Sequence, residues 1–373
     1  MKIMFVAGGT GGHINPAVAV AKEIKRLNPS CEILFVGTEG RMETKIVPKA
    51  GFEIKTVKMN GFSRKLSPKG LVENIKTVGL TLKASSTAKK IIGEFKPDVV
   101  VGFGGYVTGP VLRTAVKMGI KTAIHEQNAF PGVANKTLAK SVDKVMLTVG
   151  AAEKYMTCKN PPVVTGLPVR REIIKTDRDF ARATLGVKDN EMLVLSMGGS
   201  LGAEAINNAV VNMLSKLKDE QNICFLHATG SYGKWVGDAL KEKGVEYGAN
   251  TNIEIREYID NMDICLPACD LVISRAGASS ISEIQALKKP SILIPSPNVA
   301  ENHQFHNAMA LAENGGAILI EEKDLNDEIL AQKVLELKNN KNKLVDISEK
   351  CGQNAKVNAL SEICRIITSL VVS

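Results

Sequence analysis

Apolar residues along this chain follow two rhythms: short unbroken runs of four to six, and longer stretches where they return every third or fourth position. The short runs predict strands buried on both faces, since they are too short for core helices. They fall at residues 2–6, 32–36, 98–102, 121–124, 144–149, 192–196, 223–227, 271–274 and 291–294. Helical spacing covers 16–27, 203–218, 306–313 and 327–338. Strand and helix alternate, which is the pattern of a parallel sheet with helices on both faces.

The first junction is rich in small residues. After the strand at 2–6 come Gly8, Gly9, Thr10, Gly11, Gly12 and His13, then Asn15 and Pro16. Asn15 reads as an N-cap and Pro16 as the first helical residue, where the missing N–H costs nothing. Glycines allow a tight turn and a close approach to a ligand, and a helix start offers free N–H groups and a positive dipole end. The opening then repeats. Gly198, Gly199, Ser200, Leu201 and Gly202 follow the strand at 192–196 and precede a helix from Ala203, about 190 residues on.

Two Rossmann-like, doubly wound α/β domains are therefore expected, facing across a cleft, each with its glycine loop at the carboxyl end of a strand. The boundary is placed where Pro161, Pro162, Gly166 and Pro168 interrupt the pattern, giving domains 1–163 and 164–351. The last segment has apolar residues at Val357, Leu360, Ile363, Cys364, Ile367 and Leu370. That helix, within 352–373, needs a surface to pack on.

Composition sets the class. With 373 residues, 44% hydrophobic and 23% charged, the chain suits a soluble two-domain protein. It carries no run long enough for a membrane helix and no signal-peptide pattern, so a cytoplasmic location is expected. Its seven cysteines are scattered without a CxxC pair, which argues for reduced, mostly buried thiols. Cys265 and Cys269 lie four apart and read as small apolar side chains. The net charge of +9 is uneven: residues 1–160 hold 25 Lys and Arg against 11 Asp and Glu, and the remainder 23 against 28. Between Lys55 and Lys90 there are nine basic residues and one acid, Glu73. Leu71, Ile75, Val78 and Leu82 recur at helical spacing among Lys65, Lys69, Lys76 and Lys83. This is either a core-facing helix with a solvated side or a face that meets an anionic membrane.

Several chemistries can be weighed against these residues. A dinucleotide fingerprint requires a glycine where Ile14 stands. Gly198, Ser200 and Gly202 match the hydrolase pattern G-x-S-x-G, with His227, His303 and His306 downstream, but a hydrolase leaves the twin loop unexplained. Ser280 and Glu283 form, on spacing alone, a capping box behind Ser274, Arg275, Ala276, Gly277 and Ala278. The same small residues would also admit a diphosphate, with Glu283 accepting ribose hydroxyls. Gly104, Gly105 and Tyr106 follow one strand, and His125, Glu126, Gln127 and Asn128 another. Asp177 and Asp179 resemble a metal-holding D-x-D, yet they precede a helical stretch and read better as its cap. No metal is assigned.

Taken in order, Gly8 to His13 with Pro16, Gly104 to Tyr106, His125 to Asn128, Pro168 to Arg170, Gly198 to Ser200 with Gly202 and Ala203, Ser274 to Ala278 with Ser282 and Glu283, and His303, Gln304, Asn307 and Ala308 resemble one family along the whole chain. It is the MurG family, the N-acetylglucosaminyltransferase that converts lipid I to lipid II. The resemblance implies the GT-B fold, with the C-terminal helix returning to the first domain. It implies inverting transfer of N-acetylglucosamine from UDP-N-acetylglucosamine to the C4 hydroxyl of the muramoyl sugar on an undecaprenyl diphosphate carrier. The matching positions place Thr10, Gly11, Gly12, Asn128, Arg170, Ser200, Ile259, Ala278, Ser279, Ser280, Ile281, Ser282, Glu283 and Gln304 at the donor, which turns Glu283 from a cap into a ribose ligand. The acceptor side takes Gly104, Gly105, Tyr106, His125 and Glu126.

Single displacement needs a base for the acceptor hydroxyl, and a histidine, titrating near neutral pH, suits the task at His13. Helix starts, loop N–H groups and Arg170 can stabilise the departing UDP without a metal or other cofactor. The basic stretch then reads as the surface that approaches the membrane at the cytoplasmic face, as a peripheral protein and with no role for nucleic acid. Two positions depart from the family pattern: Leu167 replaces a common Asn, and Leu201 a common Gln. The competing chemistry on the same fold is a UDP-N-acetylglucosamine 2-epimerase, which would consume the donor without an acceptor.

Overall fold

Each central strand carries apolar side chains on both faces because helices cover both. The computed structural model describes residues 1–59 and 68–372, the side chains of 68–76, 78 and 372 excepted. The chain divides into two units: unit 1 comprises residues 1–168 and 356–373, and unit 2 residues 169–355. Among the described residues unit 1 has seven strands, β1 (Lys2–Ala7), β2 (Glu32–Thr38), β3 (Glu53–Val57), β4 (Val99–Gly104), β5 (Lys121–Glu126), β6 (Lys144–Leu147) and β7 (Val163–Val164). They pair in parallel in the order 3-2-1-4-5-6-7. Unit 2 has six, β8 (Met192–Met197), β9 (Ile223–Ala228), β10 (Ile253–Arg256), β11 (Leu271–Ser274), β12 (Ser291–Leu293) and β13 (Ile318–Leu319). Their parallel order is 10-9-8-11-12-13. In both sheets the order of the strands reverses at one point, between β1 and β4 and between β8 and β11, and ligands of open α/β sheets bind outside the strand ends there.

Alternation within β1 sorts the core of unit 1. Ile3, Phe5 and Ala7 pack with the helix Gly11–Leu27 and with Ile363, Cys364 and Ile367 of the C-terminal helix Ala359–Val372. Met4 and Val6 pack on the other face with Ala84, Ala88 and Ile92 of the helix Pro68–Phe95 and with Val111 and Leu112 of Thr108–Lys117. The C-terminal helix thus buries Ile363, Cys364, Ile367 and Leu370 as its spacing requires, whereas Val357 precedes the helix and is exposed. Unit 1 extends through Pro168 because Val163 and Val164 add a strand beside Met146 and Leu147.

The first helix begins earlier than Asn15 and Pro16 indicate. It starts at Gly11, with Thr10 as its extended N-cap residue and Thr10 O accepting from the N–H groups of His13 and Ile14. Pro16 therefore lies inside the helix, where it withholds the bond that Gly12 O would accept; so near the start the helix tolerates this. Asp177 caps the helix Arg178–Leu185 by accepting from the N–H groups of Asp179 and Phe180, and Gly186 ends it at φ +70°. All seven cysteines are free, and Cys265 and Cys269 are both buried. No described helix is long and apolar enough to cross a membrane.

Of the basic stretch, residues 60–67 with Lys65 lie outside the described residues, as do the side chains of Lys69, Leu71, Ile75, Lys76 and Val78. In the following turns Ala84, Ala88, Ile91 and Ile92 face the core, and Leu82 is 70% exposed beside an exposed Lys83.

Candidate active site

Unit 1 assembles its candidate residues at the carboxyl ends of β1, β4 and β5. Gly9 adopts φ +89°, a left-handed conformation that a glycine reaches without strain. Beneath it lies Glu43, fully buried at the start of the helix Glu43–Lys49. Its carboxylate accepts from Thr38 N–H at 2.9 Å and from Gly9 N–H at 3.3 Å. On the other side the loop joins β4, where Gly8 N–H donates to Gly104 O at 3.2 Å. Gly105 lies so near that a Cβ there would come within 2.3 Å of Gly8 O. Glu43 carried no recognisable motif in the sequence, and only the fold brings it under the loop.

His13, in the first turn of its helix and partly exposed, packs on the face of Gly104; a Cβ on Gly104 would meet His13 Nδ1 at 2.7 Å. His13 Nδ1 is 2.9 Å from Gln127 Oε1. Gln127 Nε2 is 3.1 Å from His125 Nδ1 and 3.0 Å from His125 O, and His125 Nε2 is 2.9 Å from Gly166 O. His125 is completely buried, and desolvation lowers its pKa to about 4 against the opposing effect of the Gly166 bond, so it is neutral at pH 7. Phe103 stacks on its ring at 5.4 Å between centroids. The β1–β4 register slips by one residue at this point, with Val6 opposite Gly102 and Ala7 opposite Gly104, so Phe103 is an inserted residue.

Glu126, also buried, organises the segment after β5. Its carboxylate accepts from the N–H and side-chain amide of Asn128, from Gly132 N–H and from the Asn135 amide. The structure thus brings together His13, Gly104, Gly105, His125, Glu126 and Asn128, with Thr10 and Gly12 exposed at the loop tip and Tyr106 half exposed beyond. Gln127, to which its sequence motif assigned no role, links His13 to His125.

Unit 2 gathers a second set at the ends of β8 and β11. Gly199 repeats the conformation of Gly9 at φ +92°, but Leu201, Gly202 and Ala203 intervene before the helix Glu204–Leu217 begins. This loop leans on β9: Ser231 N–H donates to Ser200 O at 3.3 Å and Tyr232 N–H to Leu201 O at 3.0 Å. Gly202, at φ +86°, has no room for a Cβ, which would meet Thr229 O at 2.1 Å. After β11 the helix Ala278–Ala286 starts with Gly277 as its N-cap residue and no side-chain cap. Ser280 is therefore inside the helix and the capping box from Ser280 to Glu283 does not form. Glu283 turns instead to Arg170, whose guanidinium meets the carboxylate at 2.9 and 3.3 Å. The first-turn N–H groups of this helix remain available for an anion. Ile259 is buried beyond β10, and Gln304 accepts from Ser296 N–H at 2.9 Å near the start of the helix His303–Ala312. Thr10, Gly11, Gly12 and Asn128 belong to unit 1, and the other donor candidates to unit 2.

The hydrolase alternative loses its geometry. Ser200 is exposed on a loop that does not run straight into a helix, and His227 is fully buried, with Nδ1 at 2.9 Å from Ser196 Oγ. Among the described residues no cluster of three or more His, Cys, Asp or Glu is placed to hold a metal.

Residues 3–147 match the model of the glycosyltransferase family 28 N-terminal domain, and residues 193–363 that of its C-terminal domain. The UDP-N-acetylglucosamine--N-acetylmuramyl-(pentapeptide) pyrophosphoryl-undecaprenol N-acetylglucosamine transferase of Acetivibrio thermocellus is 44% identical, covering 100% of this chain and 98% of its own. The crystal structure of Acinetobacter baumannii MurG superposes with a TM-score of 0.81 at 28% identity, over 99% of both chains. The UDP-GlcNAc 2-epimerase of Neisseria meningitidis, at 15% identity and a TM-score of 0.64 over 99% of this chain and 100% of that one, shares the fold alone.

Proposed function

We propose a division of labour for a chain that belongs to glycosyltransferase family 28 and, within it, to the MurG N-acetylglucosaminyltransferases: unit 2 holds the nucleotide sugar and unit 1 supplies the base. The reaction is transfer of N-acetylglucosamine from UDP-N-acetylglucosamine to lipid I, giving lipid II. The observation that carries the division is the placement of one partly exposed imidazole, His13, at the strand ends of unit 1, and of Arg170 and an uncapped helix start at those of unit 2.

In this reading the C4 hydroxyl of the muramoyl sugar gives its proton to His13 as its oxygen attacks C1 of the donor sugar. The bond from C1 to the UDP oxygen breaks with inversion, and the electron pair leaves on the diphosphate. The loop Gly198 to Gly202, the first turn from Ala278 and Arg170 stabilise that charge with N–H groups and one guanidinium, without a metal ion. Glu283 holds the ribose hydroxyls, which requires its carboxylate to share or leave Arg170. Ile259 and Gln304 border the donor, and Thr10, Gly11, Gly12 and Asn128 approach the transferred sugar. Gly105 and Tyr106 face the acceptor side, with Gly104 and the fully engaged His125 and Glu126 buried behind them.

Leu201, 56% exposed, offers the diphosphate end an apolar side chain, and Leu167 is buried where a polar residue would need partners. The exposed Leu82 and Lys83 favour a peripheral membrane-facing role for the basic segment. Replacing Lys69, Lys76 and Lys83 by Glu weakens binding to anionic vesicles under this reading, and unchanged binding leaves the segment a solvated face.

The deciding assay combines UDP-N-acetylglucosamine with a lipid I analogue and follows UDP release. Release that depends on the acceptor supports transfer. An epimer formed from the nucleotide sugar alone would point to the 2-epimerase chemistry instead.

A further inference from the structure

We propose that Gln127 and His125 are positioning residues that hold His13 as its Nδ1–H tautomer and leave Nε2 bare to take the acceptor proton. The inference rests on the reading of His13 as the base. It follows from two backbone carbonyls, which can only accept. Gly166 O lies 2.9 Å from His125 Nε2, so that nitrogen carries the hydrogen. Buried and neutral, His125 then has its lone pair on Nδ1. Gln127 Nε2 faces both this lone pair, at 3.1 Å, and His125 O, at 3.0 Å. Two acceptors thus claim both amide protons of Gln127. Reversing the amide would set its oxygen against a carbonyl oxygen and a nitrogen lone pair. Gln127 Oε1 must therefore point away from His125, and it stands 2.9 Å from His13 Nδ1. Nδ1 of His13 has to donate.

Neutral imidazole in water prefers the hydrogen on Nε2, so the relay reverses an intrinsic preference in favour of the productive form. Its parts are held from outside. Phe103, the inserted residue of β4, stacks on His125. Gly166, at φ +80°, is so close to the returning C-terminal segment that a Cβ would come within 2.3 Å of Lys356 Cβ. Thr165 Oγ1 donates to the same Gly166 O at 3.1 Å. Gly104 leaves only room for the His13 ring.

The experiment reads ring ¹⁵N shifts of the full-length protein at neutral pH, with His13 assigned by comparison with His13→Ala among five histidines. The expected spectrum shows protonated Nδ1 and bare Nε2. Gln127→Ala moves His13 toward Nε2–H and lowers kcat roughly 10- to 100-fold, with KM for UDP-N-acetylglucosamine unchanged. Gln127→Glu still accepts the Nδ1 proton but sets a second oxygen where the amide served His125, so it needs a proton between that oxygen and His125 Nδ1. With that proton it recovers part of kcat, and its negative charge moves the acid limb of the pH profile upward, because a carboxylate favours imidazolium. A wild-type His13 with the hydrogen on Nε2 overturns the proposal. So does an unchanged kcat in Gln127→Ala, or an equal loss in Gln127→Ala and Gln127→Glu with no movement of the acid limb. Full turnover by His13→Ala would instead remove the base assignment, while the tautomer measurement would still report on the relay.

Discussion

The two glycine loops begin with the same backbone and end in opposite electrostatic roles. Gly9 and Gly199 share a left-handed conformation, and each loop leaves the third strand of a parallel sheet, beside the point where the strand order reverses. In unit 1 a resident anion is already present: the Glu43 carboxylate takes Gly9 N–H, and the loop leans to the β4 side through Gly8 and Gly104. A second anion there would meet like charge in a partly desolvated place. In unit 2 the loop instead leans to the β9 side, with the carbonyls of Ser200 and Leu201 accepting from Ser231 and Tyr232 N–H, and among the described residues no acid bonds to its N–H groups. The lean away from β11 leaves the reversal point between β8 and β11, where open α/β sheets bind ligands, uncovered by this loop. A glycine loop after a strand is thus a turn first, and its neighbours decide whether it cradles an anion.

The sharpest way to break this contrast is at His13. His13→Ala lowers kcat by roughly 100- to 1,000-fold, about 3–4 kcal/mol in the barrier, while UDP affinity by calorimetry is kept. Lost UDP affinity would make the first loop a donor cradle after all. A second contrast concerns the buried histidines, His125 wired to His13 through Gln127 and His227 bonded to Ser196. Burial lowers both to about 4, with the backbone bonds to Gly166 and Ser196 opposing. The unfolded chain takes up a proton near pH 6.5 that the folded state refuses until about pH 4. Stability is therefore full above pH 6.5 and falls through that window, by up to about 3 kcal/mol per histidine. Urea titrations of wild type and His227→Gln from pH 7 to pH 4.5 check this: the variant shows the shallower pH dependence.

Arg170→Ala tests unit 2. Loss of its charge should raise KM for UDP-N-acetylglucosamine about tenfold, near 1.4 kcal/mol, with little change in the shape of the pH profile. The smallest effect separates the loops most cleanly. Glu43→Gln keeps one acceptor but turns an amide N–H₂ toward a backbone N–H, costing unit 1 about 1 kcal/mol in thermal or urea unfolding. Donor affinity stays unchanged if the first loop holds no phosphate, and a gain would show that Glu43 had been excluding one.

Much of this was legible in order along the chain. Alternating runs located nearly every central strand, because strands covered on both faces read as unbroken apolar stretches. The cap at Asp177 is legible in its D-x-D, since a side chain bonding two and three residues ahead is a local event. Local reasoning failed where the helix start was set by the turn before it: Gly11 and Gly12 entered the helix ahead of Pro16, and Gly277 displaced Ser280 as the N-cap residue.

The sequence by itself determined the periodicity, the twin loops, the apolar face of the C-terminal helix and the ordered motifs of the family, all of which depend on neighbours within a few residues or on residue identity. Tertiary structure decided what each polar group faces. It placed Glu43 under a loop 34 residues away, turned Glu283 to Arg170 across 113, and ran His13 through Gln127 and His125 to Gly166. Such pairings are set by which strand ends the sheet order brings side by side. A buried donor or acceptor must find its partner there.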